Sequence, residues 1–119
     1  MTYVDGFVLP VKKRQLTTYR RMAKQASKVW RDYGALEFHE CVADDVPYGK
    51  RTSFPRSVKL KRGETVVFSY IVYRSRGDRD RVMAKVMKDK RIDAMMKSKK
   101  IPFDAKRMIF GGFKTMVSA

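Results

Sequence analysis

His39 and Cys41 stand two positions apart in the segment LEFHECVADDV, and Glu37 precedes His39 by two more. On a strand, alternate residues project from one face, so a carboxylate, an imidazole and a thiol would share a side. Those are the donor types of a transition-metal site, and Cys with His is also the pairing that activates a thiolate nucleophile. The rest of the chain withholds what either chemistry needs. His39 is the only histidine and Cys41 the only cysteine, so the recurring ligand spacings of a zinc site are missing. No third group is evident to orient an imidazole base, and a lone buried cysteine is ordinarily packing. The sequence therefore assigns no catalytic residue and no metal ligand. It carries no flavin, haem or dinucleotide motif either, because Gly111-Gly112 lacks the helix that a phosphate loop requires. No cofactor is expected.

A second constellation points elsewhere. Phe68-Ser69-Tyr70-Ile71-Val72-Tyr73 follows part of the aromatic, small, aromatic, aliphatic pattern with which RNA-recognition domains stack bases on a sheet. Val66-Val67 stands where that pattern has a basic residue and glycine, and Pro10 disturbs the neighbouring strand. The charge balance invites the same thought: 28 Lys and Arg against 12 Asp and Glu give a formal +16. Such a surface attracts any polyanion, weakly and only at low salt. Arg20, Arg21, Lys24, Lys28, Arg31, Lys85 and Lys88 are the cations spaced to make that contact. A solvated helix face is the plainer reading of the same residues.

The elements that must position these groups follow from periodicity. Thr65–Tyr73 is uncharged in a chain that is 34% charged. It is rich in β-branched and aromatic residues, which marks a strand covered on both faces. Val66, Phe68, Tyr70 and Val72 form one face, and Val67, Ile71 and Tyr73 form the other. Tyr3–Val11 predicts a first strand whose end is demoted to an edge by Pro10. Leu16, Tyr19, Met22, Ala23, Ala26, Val29, Trp30 and Tyr33 form one apolar stripe of a helix that Gly34 terminates. Between Lys12 and Arg31 there are eight basic residues and no acid. Leu36–Val46 alternates as a strand, with Leu36, Phe38 and Val42 opposite Glu37, His39, Cys41 and Ala43. A loop follows over Pro47–Pro55, and Ser57–Lys61 (SVKLK) alternates as a short strand. Ser75 begins a capping box for a helix marked by Val82, Met83, Val86 and Met87. Ile92, Met95 and Met96 continue that pattern as an offset piece, the methionines serving as core fillers. Ten basic residues against four acidic span Arg76–Lys100. Met108–Val117 is the last strand, where Gly111-Gly112 suggests a bulge or the close approach of another backbone.

The order strand, helix, strand, strand, helix, strand predicts a single α+β domain over residues 1–119 of ferredoxin-like βαββαβ topology. Its four-stranded antiparallel sheet would carry two helices on one face. The other face then needs water, a ligand or a second chain. No segment reaches the roughly 18 apolar residues that span a bilayer, and the first residues do not read as a signal peptide. With one cysteine, the chain is expected to be cytoplasmic and not inserted in membrane.

The stretches YVDGFVLPV, KVWRDYGALE, HECVADDVP, TSFPRSVKLK, ETVVFSYIVYRSR and PFDAKRMIFGGFK resemble the bacterial YbaA-like family of unknown function. That resemblance implies a protomer of the dimeric α/β-barrel superfamily, in which two sheets pack face to face. Small monooxygenases of the superfamily hold substrates between sheet and helices. By that analogy the candidate pocket residues are Trp30, Tyr33, His39, Phe54, Tyr70 and Phe110. Three functional expectations follow: a YbaA-like homodimeric scaffold with a cationic surface, a small-molecule-binding or cofactor-free monooxygenase-like enzyme, and an RNA-binding domain. The sequence departs from the family in the nearly all-basic outer faces of its helices and in Lys90, which stands where proline is expected after Asp89. Supercharging by redesign and a naturally basic member are the two origins this leaves open.

Overall fold

The computed structural model describes residues 1–98 and 101–119. Lys99 and Lys100, counted above among the basic residues, lie outside the described residues. Four strands, β1 (Tyr3–Lys12), β2 (Glu37–Val42), β3 (Glu64–Tyr73) and β4 (Ile109–Lys114), form one antiparallel sheet in the order β2-β3-β1-β4. The helices are α1 (Leu16–Asp32), α2 (Phe54–Ser57), α3 (Arg76–Val86) and α4 (Lys90–Lys97). This is the predicted ferredoxin-like plan, with β1 and β3 central.

Pro10 can sit in a central strand because β4 pairs with β1 only as far as Val8, leaving the end of β1 with a free edge. α1 ends as its sequence requires: Gly34 adopts φ +115° and its N–H donates to the Arg31 carbonyl. Ser75 caps α3 by accepting from the Asp78 N–H at 3.1 Å, and Asp89 caps α4 by accepting from the Arg91 N–H at 2.8 Å. The break between these two helices is the offset foreseen in the methionine pattern. Ile92 is buried and Met95 half-buried, whereas Met87 and Met96 are exposed and so do not fill the core.

Two expectations need correction. SVKLK is not a strand. Ser53 caps a short helix that begins Phe54-Pro55, accepting from the Arg56 N–H at 3.1 Å, and proline in a first turn favours that conformation. The apolar residues that mimicked alternation have another use: Val58 is buried against Val8 and Val66, with Leu60 beside it, plugging one end of the sheet's outer face. Gly111-Gly112 makes no bulge either. The register runs unbroken through Gly6↔Gly111 and Asp5↔Gly112, and what comes close is a side chain. A Cβ on Gly112 would lie 2.8 Å from Cε2 of Tyr3. Gly112→Ala must push the buried Tyr3 ring out of place, at a cost of about 1–3 kcal/mol in a thermal or urea unfolding measurement. Gly111→Ala, with only ordinary contacts around its site, should cost less.

Strand parity sorts the side chains. Tyr3, Asp5, Phe7, Leu9 and Val11 of β1 and Val67, Ser69, Ile71 and Tyr73 of β3 face α1, α3 and α4, and most of the core lies there. The opposite face carries His39 and Cys41 of β2, Phe68 and Tyr70 of β3, and Ile109 and Phe113 of β4. Away from the Val58 plug this face stays open: Phe68 is 40% exposed, Ile109 45% and Phe113 63%.

Candidate functional site

Between the sheet and the helices lies a cavity of about 440 Å³. Its floor is two cross-strand rows fixed by register. One runs Glu40, Ser69, Phe7, Phe110, and the next runs Phe38, Ile71, Asp5, Gly112. α1 supplies Tyr19, Met22, Ala23, Ala26 and Trp30 overhead, α3 supplies Arg79 and Met83 with Met87 just past its end, and Phe103 and Met108 close a side. These follow from helical spacing: Tyr19, Ala23, Ala26 and Trp30 recur at intervals of three and four on one face of α1. Ring contacts hold the walls in place, Trp30 against Phe38 at 5.8 Å, Phe7 against Phe110 at 6.3 Å and Tyr19 edge-on to Phe103 at 5.9 Å.

Two polar groups interrupt this apolar lining. Asp5, 5% exposed, pairs with Nη1 of Arg79 at 2.9 Å. Nη2 of Arg79 reaches Oη of Tyr3 at 3.4 Å, and its guanidinium lies over that ring. Trp30 Nε1 donates to Oη of Tyr73 at 3.1 Å, and the Tyr73 hydroxyl lies near enough to Asp5 for each to shift the other's titration. Burial pushes the Asp5 pKa above the ordinary carboxylate value, against the opposing pull of the Arg79 charge and the Tyr73 hydroxyl. Tyr73 is raised well above a normal phenol, first by burial and then by the negative charge of Asp5. The second group is Glu40, whose Oε1 accepts from the Tyr19 hydroxyl at 2.7 Å. Glu40 as a residue is exposed on the edge strand, yet its carboxyl lies beneath α1. Desolvation there raises its pKa, opposed by the bond from Tyr19. Tyr19 is raised strongly, by burial and then by Glu40.

Tyr19, Ala23, Phe38 and Glu40 also line a groove of about 530 Å³ between α1 and β2. The Tyr19–Glu40 pair therefore stands between groove and cavity. Chemically the cavity suits an apolar, ring-bearing molecule of modest size with one polar end for the Asp5–Tyr73–Arg79 network.

Of the six residues suggested by the barrel analogy, Trp30 and Phe110 line this cavity. Tyr33 packs at the end of α1 and donates its hydroxyl to Oδ2 of Asp89 at 2.6 Å. The Asp89 carboxyl is held far below the usual range by hydrogen bonds from Arg91 and Tyr33. His39, Tyr70 and Phe54 gather on the far side of the sheet. His39 stacks on Tyr70 at 4.7 Å and bonds Glu37 at 2.9 Å, and Phe54 meets Phe68 edge-on at 6.1 Å. Parity put Cys41 with them, and it is exposed. Among the described residues no group of three or more His, Cys, Asp or Glu is placed to hold a metal.

The residues that sequence reasoning did not single out are Asp5, Glu40, Ser69 and Arg79. Asp5 had a signal, since it is the one charge inside Tyr3–Val11 and its parity matches Tyr3, Phe7 and Leu9. Arg79 had none, because α3 carries charges beside its buried Val82 and Val86 and shows no clean stripe. Arg20, Arg21, Lys24, Lys28, Arg31, Lys85 and Lys88 are all exposed. Arg20 and Lys24 edge the α1–β2 groove, and Arg31 donates to the Leu36 carbonyl. Among the described residues no helix is long and apolar enough to cross a membrane.

Comparison with known proteins agrees with the fold. The family described as "Protein of unknown function (DUF1428)" matches residues 2–105. "Uncharacterized protein YbaA" of Escherichia coli (strain K12) is 45% identical over 117 residues, covering 98% of each chain, and that of Shigella flexneri matches to the same extent. Among solved structures, the "Putative antibiotic biosynthesis monooxygenase from Nitrosomonas europaea" superposes with a TM-score of 0.63 at 13% identity, over 97% of this chain and 90% of that one. A NIPSNAP family protein from Agrobacterium tumefaciens superposes with a TM-score of 0.61 at 12% identity, over 96% and 92%. At such identities these likenesses speak for the fold alone. The chain belongs to the family of proteins of unknown function designated DUF1428, as a YbaA-like member of it.

Proposed function

We propose that this protein is a homodimeric α/β barrel whose protomers each bind a small, mostly apolar, ring-bearing molecule between sheet and helices. The observation that carries the reading is the cavity itself. Its apolar, aromatic-lined volume with a few convergent polar groups is the usual form of a small-molecule site. Dimerisation is supported by the open sheet face, where Phe68, Ile109 and Phe113 leave apolar area in water that a second copy would cover. The cations on the outer faces of α1 and α3 form a solvated coat on this reading, holding polyanions only at low salt.

Trp30 is the only tryptophan and lines the cavity, so its emission reports directly on occupancy. Titration with 2-naphthol, an uncharged bicyclic probe, should quench that emission saturably with one site per protomer. Ala26→Phe, which fills the cavity from α1, should abolish the saturable component while leaving the circular dichroism unchanged. Non-saturating quenching, or equal quenching in Ala26→Phe, overturns the reading. A monooxygenase-like turnover of the same ligand is the second reading, favoured by two carboxyl groups of raised pKa, Asp5 and Glu40, at one apolar cavity. It requires that O2 oxidise the bound hydroxyarene to a quinone with release of one water, an oxygen uptake that Glu40→Gln slows.

A further inference from the structure

We propose that the cleft between the β1–α1 junction and the turn preceding β3 is a binding site for a compact, multiply charged phosphate anion of triphosphate size. The cleft measures about 440 Å³, and Lys12, Lys13, Arg14, Lys61 and Arg62 line it together with Gly63 and Glu64. Five cations thus border one concavity, and the single acid among them is already engaged. Glu64 accepts Nη1 of Arg107 at 2.8 Å, Nη2 of Arg107 at 2.7 Å and the Lys61 N–H at 2.7 Å. Among the described residues none of the five basic side chains makes an ion pair. Five cations around one carboxylate that is already bonded to Arg107 leave net like charge to repel across the cleft, and an anion carrying several charges on adjacent groups relieves it at once.

The cleft is also built before any ligand arrives. The Lys13 N–H donates to the Gly63 carbonyl at 2.9 Å, tying the start of the helical segment to the turn, and the Glu64 N–H donates to the Lys61 carbonyl at 3.1 Å. Gly63 takes φ +80°, a left-handed conformation that glycine adopts at little cost. The Glu64–Arg107 pair then anchors this turn to the segment leading into β4. The backbone positions of the cations are therefore fixed in advance, which lowers the ordering cost of binding. The helix-face cations Arg20, Lys24 and Lys28 differ in kind. They project from the outside of a helix and do not border the cleft.

The test is isothermal titration of the intact protein with inorganic tripolyphosphate at fixed ionic strength. Two triple variants are compared, Lys12→Gln/Lys61→Gln/Arg62→Gln in the cleft and Arg20→Gln/Lys24→Gln/Lys28→Gln on α1. Each lowers the formal charge by three, from +16 to +13, so net charge cannot distinguish them. All six side chains are exposed, and a melting curve checks that both variants fold. The expected result is one tripolyphosphate per protomer, weakened at least about thirtyfold by the cleft triple and less than about threefold by the helix triple. ATP binding more tightly than tripolyphosphate would assign the phosphate to a nucleotide, and ATP binding more weakly would assign it to a free oligophosphate. Equal losses in the two triples, several ions per protomer, or no saturation would overturn the proposal.

Discussion

Replacing Arg107 with methionine is expected to cost about 2–3 kcal/mol of folding stability, seen as a melting temperature lower by about 10 °C. The guanidinium joins three segments. It forks onto both Glu64 oxygens at 2.8 and 2.7 Å, donates to Oδ2 of Asp104 at 3.0 Å and reaches the Lys59 carbonyl at 3.1 Å. The side chains of Arg107 and Glu64 are 15% and 5% exposed, so removing the cation leaves a carboxylate with little access to water. The expected cost lies at or below the lower end for a broken buried pair, because the cluster borders an open cleft where water relieves part of the loss. The pH dependence has a definite sign. The Arg107 hydrogen bonds, outweighing burial, hold the Glu64 pKa below its ordinary value. Its stabilisation is complete above the unfolded carboxylate value and is lost as pH falls through the lower folded value. The deficit of Arg107→Met should therefore be largest near neutral pH and close in acid. Arg107→Met combined with Glu64→Leu should recover much of the loss, since an apolar pair leaves no charge stranded. A deficit independent of pH, or one that the second substitution deepens, would contradict this account.

Ile109→Ser with Phe113→Ser is expected to turn the proposed dimer into a monomer at micromolar concentration. Both residues project from the open sheet face. In a two-fold interface each substitution is felt twice, so losing two apolar anchors should weaken association by at least about a thousandfold. Light scattering during size exclusion reads the outcome directly. Salt gives an independent check. Two chains of formal charge +16 repel, and the repulsion is screened over about 10 Å at 0.1 M salt. Dimerisation should therefore tighten as salt is added, whereas tripolyphosphate binding should weaken. A wild-type protein that stays monomeric at high protein and high salt would end the barrel reading, and so would a double variant that dimerises normally.

Much of the fold could be read from the chain because periodicity and burial coincide. The uncharged make-up of Thr65–Tyr73 required a central strand, the stripe from Leu16 to Tyr33 required one long helix, and the alternation around His39 placed that residue and Cys41 on one face together. SVKLK misled because two apolar residues at alternate positions are too few to separate a strand from a plug, and the helix start at Ser53-Phe54-Pro55 was taken into the loop over Pro47–Pro55. The cavity was less legible. Trp30 lay on the helix stripe, and Phe110 came only by analogy, which carries no strand parity. The six residues named by analogy consequently divide between two sides of the sheet. Arg79 meets Asp5 across a sequence separation of 74, and nothing in the local pattern of α3 announces that meeting.

Gly112 carries a consequence for how this family can diversify. Its missing side chain admits the Tyr3 ring, and the same residue lies beside Asp5 in the cavity floor. A larger residue there would narrow the cavity only by expelling an aromatic from the core, so drift at that position is closed off by stability before ligand choice is tested. The helical lining is freer. Ala26 and Met83 are half-buried and Met87 is exposed, and they can change size without unseating a packed ring. Relatives with different ligands should therefore differ in their helices while the pairing of tyrosine and glycine beneath them stays the same.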